Sequence, residues 1–169
     1  VLIHAVGSPQ ENIKRYAVRV LHSITKWRPP TLKGSLIFYG LLIKDEFENN
    51  RVDAAHILGK IDHPHSHIIL TEALMDESIA VRIEAVNALG NLKSESLIVE
   101  IDTILSIENP DLQLAGIKAL VRLGNEDAAA KLLSIFQVDS IKNTPHIFTQ
   151  VKHFLQHIVS VCSDKSLVE

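Results

Sequence analysis

The chain has 169 residues, of which 46% are apolar and 22% are charged, so it can bury a hydrophobic core and is not an intrinsically disordered chain. Its formal net charge is −3 with neutral histidines, which disfavours binding to nucleic acids or to an anionic membrane. Its longest apolar run, at residues 36–43, is too short for a membrane-spanning helix, so we expect no membrane partner.

A helical segment recurs along the chain with a period of 31 residues. Residues 50–61, 81–92 and 112–123 follow one another at this spacing, and an earlier copy at residues 13–24 is offset by 37 positions. The apolar side chains of each copy recur at the spacing of one helix face, which predicts an amphipathic helix. In residues 81–92 they are Val81, Ala85, Val86, Ala88, Leu89 and Leu92.

Between these copies lies a second helical pattern. Each repeat is therefore predicted to be a helical hairpin, in which Pro64 starts a repeat and Pro110 lies between its two helices. Gly59 and Gly90 are expected to end second helices, because glycine commonly follows a last helical turn. The second pattern is carried by Ile68, Ile69, Ala73 and Leu74 and by Ile98, Val99, Ile101, Ile104 and Leu105.

Hairpins this short can bury their apolar faces only by stacking on one another. We therefore predict an all-α fold, a right-handed α-solenoid of about four to five stacked helical hairpins. It forms a single repeat domain over residues 1–169, which we expect to be a fragment of a longer protein because Val1 lies inside a repeat. The predicted repeat units are approximately residues 1–26, 34–61, 65–92, 96–124 and 126–162.

Two of the repeats share the pattern Asp-x5-Arg-x2-Ala-x3-Leu-Gly. It is present as Asp45, Arg51, Ala54, Leu58 and Gly59, and again as Asp76, Arg82, Ala85, Leu89 and Gly90. This pattern resembles HEAT repeats, and the period is similar to that of the short HEAT-like repeats of the phycobilisome-lyase type.

The resemblance implies a structural ladder between adjacent hairpins. In it, Asp45 and Asp76 pair with Arg51 and Arg82, since a guanidinium can bond a carboxylate and turn carbonyls together. The following repeat carries Ile107 and Gln113 at these places, so the ladder is expected to be strongest in the centre of the chain.

In repeats of this kind the second helices line the concave surface. Two rows of predicted outward positions hold four Lys or Arg residues and no carboxylate, which favours a docking groove for an acidic peptide or protein surface; an ordinary solvated surface is the alternative. A third row of predicted outward positions contains Tyr16, Asp53, Glu84 and Ala115. The partner-binding residues predicted there are Tyr16, Arg19, Asp53, His56, Lys60, Glu84, Asn87, Asn91, Lys118 and Arg122.

Two further groups of residues are candidate sites. Trp27 and Arg28 lie in an insertion and are candidate interface anchors, although a lone tryptophan more often folds back over the core. Histidines are spaced as metal ligands can be, but a solvated surface is favoured and no metal is predicted. They are His63, His65 and His67 in a turn between repeats, and His146, His153 and His157 near the end of the chain.

These observations favour a scaffold or adaptor that binds another protein or peptide and has no catalysis and no cofactor of its own. The alternative is an enzyme resembling a bilin lyase, or another protein that binds a small ligand or metal on a HEAT-like framework; fold analogy alone is a weak argument for such chemistry. The single cysteine, Cys162, permits no internal disulfide, so we expect a reducing, cytoplasmic setting.

Overall fold

A computed structural model describes residues 42–137 continuously, together with the single residues 8, 10, 13, 16, 17, 20, 36, 39, 40, 149 and 152. Within residues 42–137 all regular secondary structure is α-helical, which confirms the all-α prediction for this part of the chain. The helices are α1 (Glu48–Leu58), α2 (Pro64–Ala73), α3 (Ile79–Asn91), α4 (Ser96–Ser106), α5 (Pro110–Leu123) and α6 (Glu126–Gln137).

Several helices start at a side chain that accepts a hydrogen bond from a free backbone amide of the first turn. Asn109 Oδ1 accepts the amide of Leu112 at 2.9 Å before α5, where Pro110 occupies the first helical position. Pro64 takes the same position in α2. The two prolines therefore begin helices, as the sequence predicts.

The chain divides into two compact units, Val1–Ala88 and Leu89–Glu169. In the first unit α1 packs on α2, and in the second α5 packs on both α4 and α6. Each unit has its own aliphatic core. Fully buried side chains are Leu58, Leu70, Val81 and Ala85 in the first unit and Leu89, Leu97, Ile101, Leu112, Leu120 and Leu132 in the second.

Gly59 ends α1 as expected, with an ordinary right-handed φ of −66°. The same expectation for Gly90 is wrong, because α3 continues through Gly90 to Asn91. Both glycines also permit close contact between second helices. A Cβ added to Gly59 would lie 2.6 Å from Ala88 Cβ, and one added to Gly90 would lie 2.8 Å from Ala119 Cβ.

Two of the described helices end at a left-handed residue. Lys93 follows α3 with a φ of 51°, and the amides of Lys93 and Ser94 donate to the carbonyls of Gly90 and Leu89. Gly124 closes α5 with a φ of 63°, and its amide donates to Leu120 O. Glycine adopts this conformation without steric cost, so Gly124 is a typical helix cap.

Candidate functional site

The second-helix surface of the first unit carries the predicted polar residues. Asp53, His56 and Lys60 are exposed on or just after α1, whereas Glu84 and Asn87 on α3 are half-buried. Their exposure agrees with outward positions.

His56 and Glu84 contact each other on this surface. His56 Nδ1 lies 2.7 Å from Glu84 Oε1, which ties α1 to α3. An ionised carboxylate only accepts hydrogen bonds, so Nδ1 is the donor and Nε2 is left for other contacts. The predicted row that contains His56 was free of carboxylates, but the structure places Glu84 against it, so the strip is less basic in this unit than expected.

In the second unit Asn91, Lys118 and Arg122 are exposed. Ala115 is only 5% exposed, so its predicted outward position is wrong. The reason is that α5 contacts both α4 and α6, which cover a wider face of it than a two-helix hairpin would. Lys118 has no ion-pair partner among the residues that the structure describes.

The remaining predicted binding residues lie near the start of the chain. Tyr16 is described and is 71% exposed. Arg19, Trp27 and Arg28 lie outside the described residues, as do His146, His153 and His157.

Arg51 forms the centre of a polar network in the first unit. Its Nε and Nη2 atoms donate to the two carboxylate oxygens of Asp76 at 2.8 and 3.0 Å, and its Nη1 atom donates to the carbonyls of Asp45 and Glu46 at 2.8 and 3.1 Å. Arg51 is buried, and its hydrogen bonds with Asp76 raise its pKa above the ordinary value. The guanidinium therefore stays charged and joins two turns.

The other ladder residues make different contacts. Asp45 Oδ1 accepts the Phe47 amide at 2.9 Å and the Asn50 side-chain amide at 3.2 Å at the start of α1, and Arg51 bonds the backbone carbonyl of Asp45. Arg82 Nε donates to the backbone carbonyl of Asp76 rather than to its carboxylate. The side-chain pair that the structure brings together is Arg51 with Asp76.

Gln113 takes over part of this role in the second unit. Its Nε2 donates to Leu105 O at 2.9 Å and to Ile107 O at 3.0 Å. An amide thus bonds the turn carbonyls where the earlier repeats use arginine, although it carries no charge for a carboxylate.

Of the three histidines expected in a turn between repeats, His63 precedes α2 and His65 and His67 lie in its first turn. His63 Nδ1 accepts the His65 amide at 3.1 Å, and His67 Nε2 lies 3.4 Å from Asp62 Oδ1. Within the described part of the chain, no three His, Cys, Asp or Glu side chains are placed to hold one metal ion.

The sequence pattern missed a set of exposed apolar residues on the first helices. Ile68 on α2 and Val99 on α4 are 58% and 78% exposed, although both were counted with the apolar helical pattern. They occupy equivalent positions 31 residues apart. That equivalence was visible in the sequence, but periodicity alone does not show which apolar residues of a helix remain uncovered.

Comparison with protein families identifies the repeats. A family model described as HEAT repeats matches residues 37–101 and again residues 69–143, which together span more than half of the chain. The chain belongs to the HEAT repeat family, and its fold is of the α-solenoid class. The comparison with curated proteins gave no match. HEAT repeats commonly serve as protein-interaction scaffolds. No helix in the described residues is long and apolar enough to cross a membrane.

Proposed function

We propose that the chain is a protein-interaction scaffold that works in the cytoplasm and binds a protein or peptide partner through the surface of its second helices, without catalysis of its own. In each unit this surface is the outward side of the second helices. The partner is expected to present acidic side chains to Lys60 in the first unit and to Lys118 and Arg122 in the second.

The observation that carries this proposal is the contrast between what the second helices bury and what they expose. Their small and aliphatic residues, such as Ala55 and Leu120, are buried completely. Their outward side chains are polar, and between residues 42 and 137 no large hydrophobic side chain is exposed on α1, α3 or α5. A surface of this kind binds by charge and hydrogen bonding, which favours a partner of complementary charge.

On this surface Lys60 in the first unit and Lys118 in the second are available for binding. Lys60 and Lys118 are exposed and make no ion pair with any residue that the structure describes. His56 adds a ring nitrogen, Nε2, that is not engaged by Glu84. An acidic partner would therefore meet charge that is not already neutralised within the chain.

The test compares capture of partners by the wild-type chain and by the variant Lys60→Glu, Lys118→Glu. Captured proteins are identified by mass spectrometry, purified, and titrated against each variant to measure Kd. We expect the reversal of two charges to weaken binding at least about tenfold, because opposed charges become like charges across the interface. The melting temperature should change little, since both substitutions are on the surface.

A matched control has the same change in net charge at residues away from the second helices, Lys44→Glu with Lys93→Glu. Lys44 makes only an exposed pair with Glu72, and Lys93 lies in the turn after α3, so this variant should fold and bind as the wild type does. If both variants lose the partner equally, net charge rather than the second-helix surface governs binding. If neither loses it, the proposed surface is wrong.

A further inference from the structure

The first helices of the second unit form a groove of their own. Helices α4 and α6 pack against each other, and a cavity of about 520 Å³ opens between them. We call this cavity the α4–α6 groove. Its lining includes Glu95, Ile98, Val99, Asp127, Ala130 and Lys131.

Val99 gives this groove an apolar wall that the fold leaves uncovered. Its side chain is 78% exposed, more than any other large hydrophobic side chain between residues 42 and 137. Ile98 and Ala130 lie beside it in the lining. Apolar surface gathered in a concave site is typical of a binding groove, and this volume accommodates a few aliphatic side chains.

The groove carries negative charge that no cation in its lining neutralises. Glu95 lies just before α4 and Asp127 lies in the first turn of α6, and neither carboxylate has a hydrogen bond or ion pair within the described residues. The one lysine in the lining, Lys131, is bound to Asp102 at 2.6 Å. A ligand in this groove therefore meets two free carboxylates and no free cation.

The helices of the second unit that the structure describes separate their charges in the same way. Helix α5 has one carboxylate, Asp111, and the cations Lys118 and Arg122. The first helices have one lysine, Lys131, against several carboxylates: Glu95 before α4, and Glu100, Asp102, Glu126 and Asp127 within α4 and α6. The two helix layers of this unit thus suit partners of opposite charge.

We propose that the α4–α6 groove binds a cationic amphipathic helix of a partner protein. The aliphatic side of that helix packs on Val99 and Ile98, and its Lys or Arg residues pair with Glu95 and Asp127. An amphipathic helix suits a groove between two helices because its apolar ridge fills the space and its charged flanks reach the rims. This is a second docking surface, independent of the second-helix surface and opposite to it in charge.

The test uses a fluorescein-labelled peptide that consists of leucine and lysine, with the leucines at one helix face. Its binding to the full chain is measured by fluorescence anisotropy. Two matched peptides replace either all leucines by serine or all lysines by glutamate. The proposal expects both replacements to weaken binding at least about tenfold, because apolar contact and charge are both required.

Variants of the chain locate the binding. Val99→Ser should raise Kd about tenfold, and Glu95→Gln with Asp127→Asn should raise it about fivefold and reduce its dependence on salt. Two matched controls should leave Kd within about twofold. They are Ile68→Ser, at the equivalent exposed position of α2, and Asp111→Asn, at an exposed carboxylate of α5.

Three results would overturn the proposal. The first is unchanged affinity in Val99→Ser. The second is equal weakening by Ile68→Ser or Asp111→Asn, which would attribute binding to general acidity. The third is a dimer in sedimentation equilibrium that Val99→Ser disperses, which would assign the groove to a second copy of the chain. If the variant Lys60→Glu, Lys118→Glu loses the captured acidic partner, that result tests the second-helix surface and does not bear on peptide binding in the α4–α6 groove.

Discussion

Arg51 and Asp76 join two successive hairpins through a pair of parallel hydrogen bonds, Nε to Oδ2 at 2.8 Å and Nη2 to Oδ1 at 3.0 Å. The side chains of Arg51 and Asp76 are only 7% and 12% exposed, so little water can replace either partner. The same guanidinium also bonds the turn that precedes α1. A single side chain therefore fixes the register between a second helix and the turn of the following hairpin.

We predict that removing either partner of this pair destabilises the chain strongly. Asp76→Ala leaves the buried Arg51 without its carboxylate and should lower the free energy of unfolding by about 3 kcal/mol, and Arg51→Met should cost a similar amount. The double variant should cost clearly less than the sum, because the second substitution removes a charge that the first has left unpaired. Urea denaturation of the four proteins measures this coupling.

Two controls separate charge from geometry. Arg51→Lys keeps the positive charge but loses the planar fork, so it should recover only part of the stability. Glu77→Gln removes a carboxylate that is 87% exposed, although it lies 3.2 Å from Arg51, and should cost little. If the effects of Asp76→Ala and Arg51→Met were simply additive, the pair would not be energetically coupled.

Gln113 is predicted to stabilise the turn before α5 through its two carbonyl bonds. Gln113→Met keeps the length of the side chain but removes the donors to Leu105 O and Ile107 O, and should lower the free energy of unfolding by about 1 to 2 kcal/mol. Gln113→Arg restores donors and should remain close to the wild type. Equal stability of the Met variant and the wild type in urea denaturation would show that water satisfies these carbonyls instead.

The sequence predicted the helices and their order because the apolar residues that become buried recur with helical periodicity. Val81, Ala85 and Leu89 share one face of α3 and are all buried, as their spacing indicates. Ala115 and Val99 show the limit of this inference. How wide a face each helix buries depends on its neighbours, so Ala115 is covered by adjacent helices while Val99 is not.

The candidate site was predictable in its positions but not in its contacts. Asp53, Lys60 and Lys118 are exposed, as outward register positions require. The bond between His56 and Glu84, which are 28 residues apart in sequence, depends on the distance between α1 and α3, which periodicity does not provide. Likewise, the spacing placed Asp45 and Asp76 in turns and Arg51 and Arg82 in the helices that follow them, but it did not show which carboxylate each guanidinium bonds.

Replacing Gly59 or Gly90 by alanine distinguishes two roles for these glycines. Stability should rise if the glycine is an ordinary helical residue and fall if it permits a close contact between helices. Alanine normally stabilises a helix relative to glycine by about 1 kcal/mol. Here the added Cβ would lie 2.6 Å from Ala88 Cβ in Gly59→Ala and 2.8 Å from Ala119 Cβ in Gly90→Ala, so helices must move apart. We expect each variant to lose about 1 to 3 kcal/mol in urea denaturation.

Compensating substitutions test whether this loss arises from the close contact. Adding Ala88→Gly to Gly59→Ala, or Ala119→Gly to Gly90→Ala, removes the facing methyl group. The added Cβ would still lie 2.8 Å from the Cα of residue 88 or 2.9 Å from the Cα of residue 119, so the second substitution should restore only part of the stability. A gain in stability from either single alanine would mean that the helices separate at no cost.

Ser66 offers a substitution that should stabilise the chain. It is completely buried in α2, and its hydroxyl has no hydrogen-bond partner among the residues that the structure describes. A buried hydroxyl without a partner loses its bonds to water and gains nothing in return. Ser66→Ala should therefore raise the free energy of unfolding by about 1 kcal/mol, measured by urea denaturation.

Part of any such gain could come from the higher helix propensity of alanine, and Ser134→Ala measures that part. Ser134 is exposed on α6 and its hydroxyl bonds Lys131 O within the helix, so its replacement should change stability by no more than about 0.5 kcal/mol. The difference between the two variants isolates the cost of the buried hydroxyl. A loss of stability in Ser66→Ala would instead mean that the hydroxyl is hydrogen-bonded in solution, most simply to a buried water molecule.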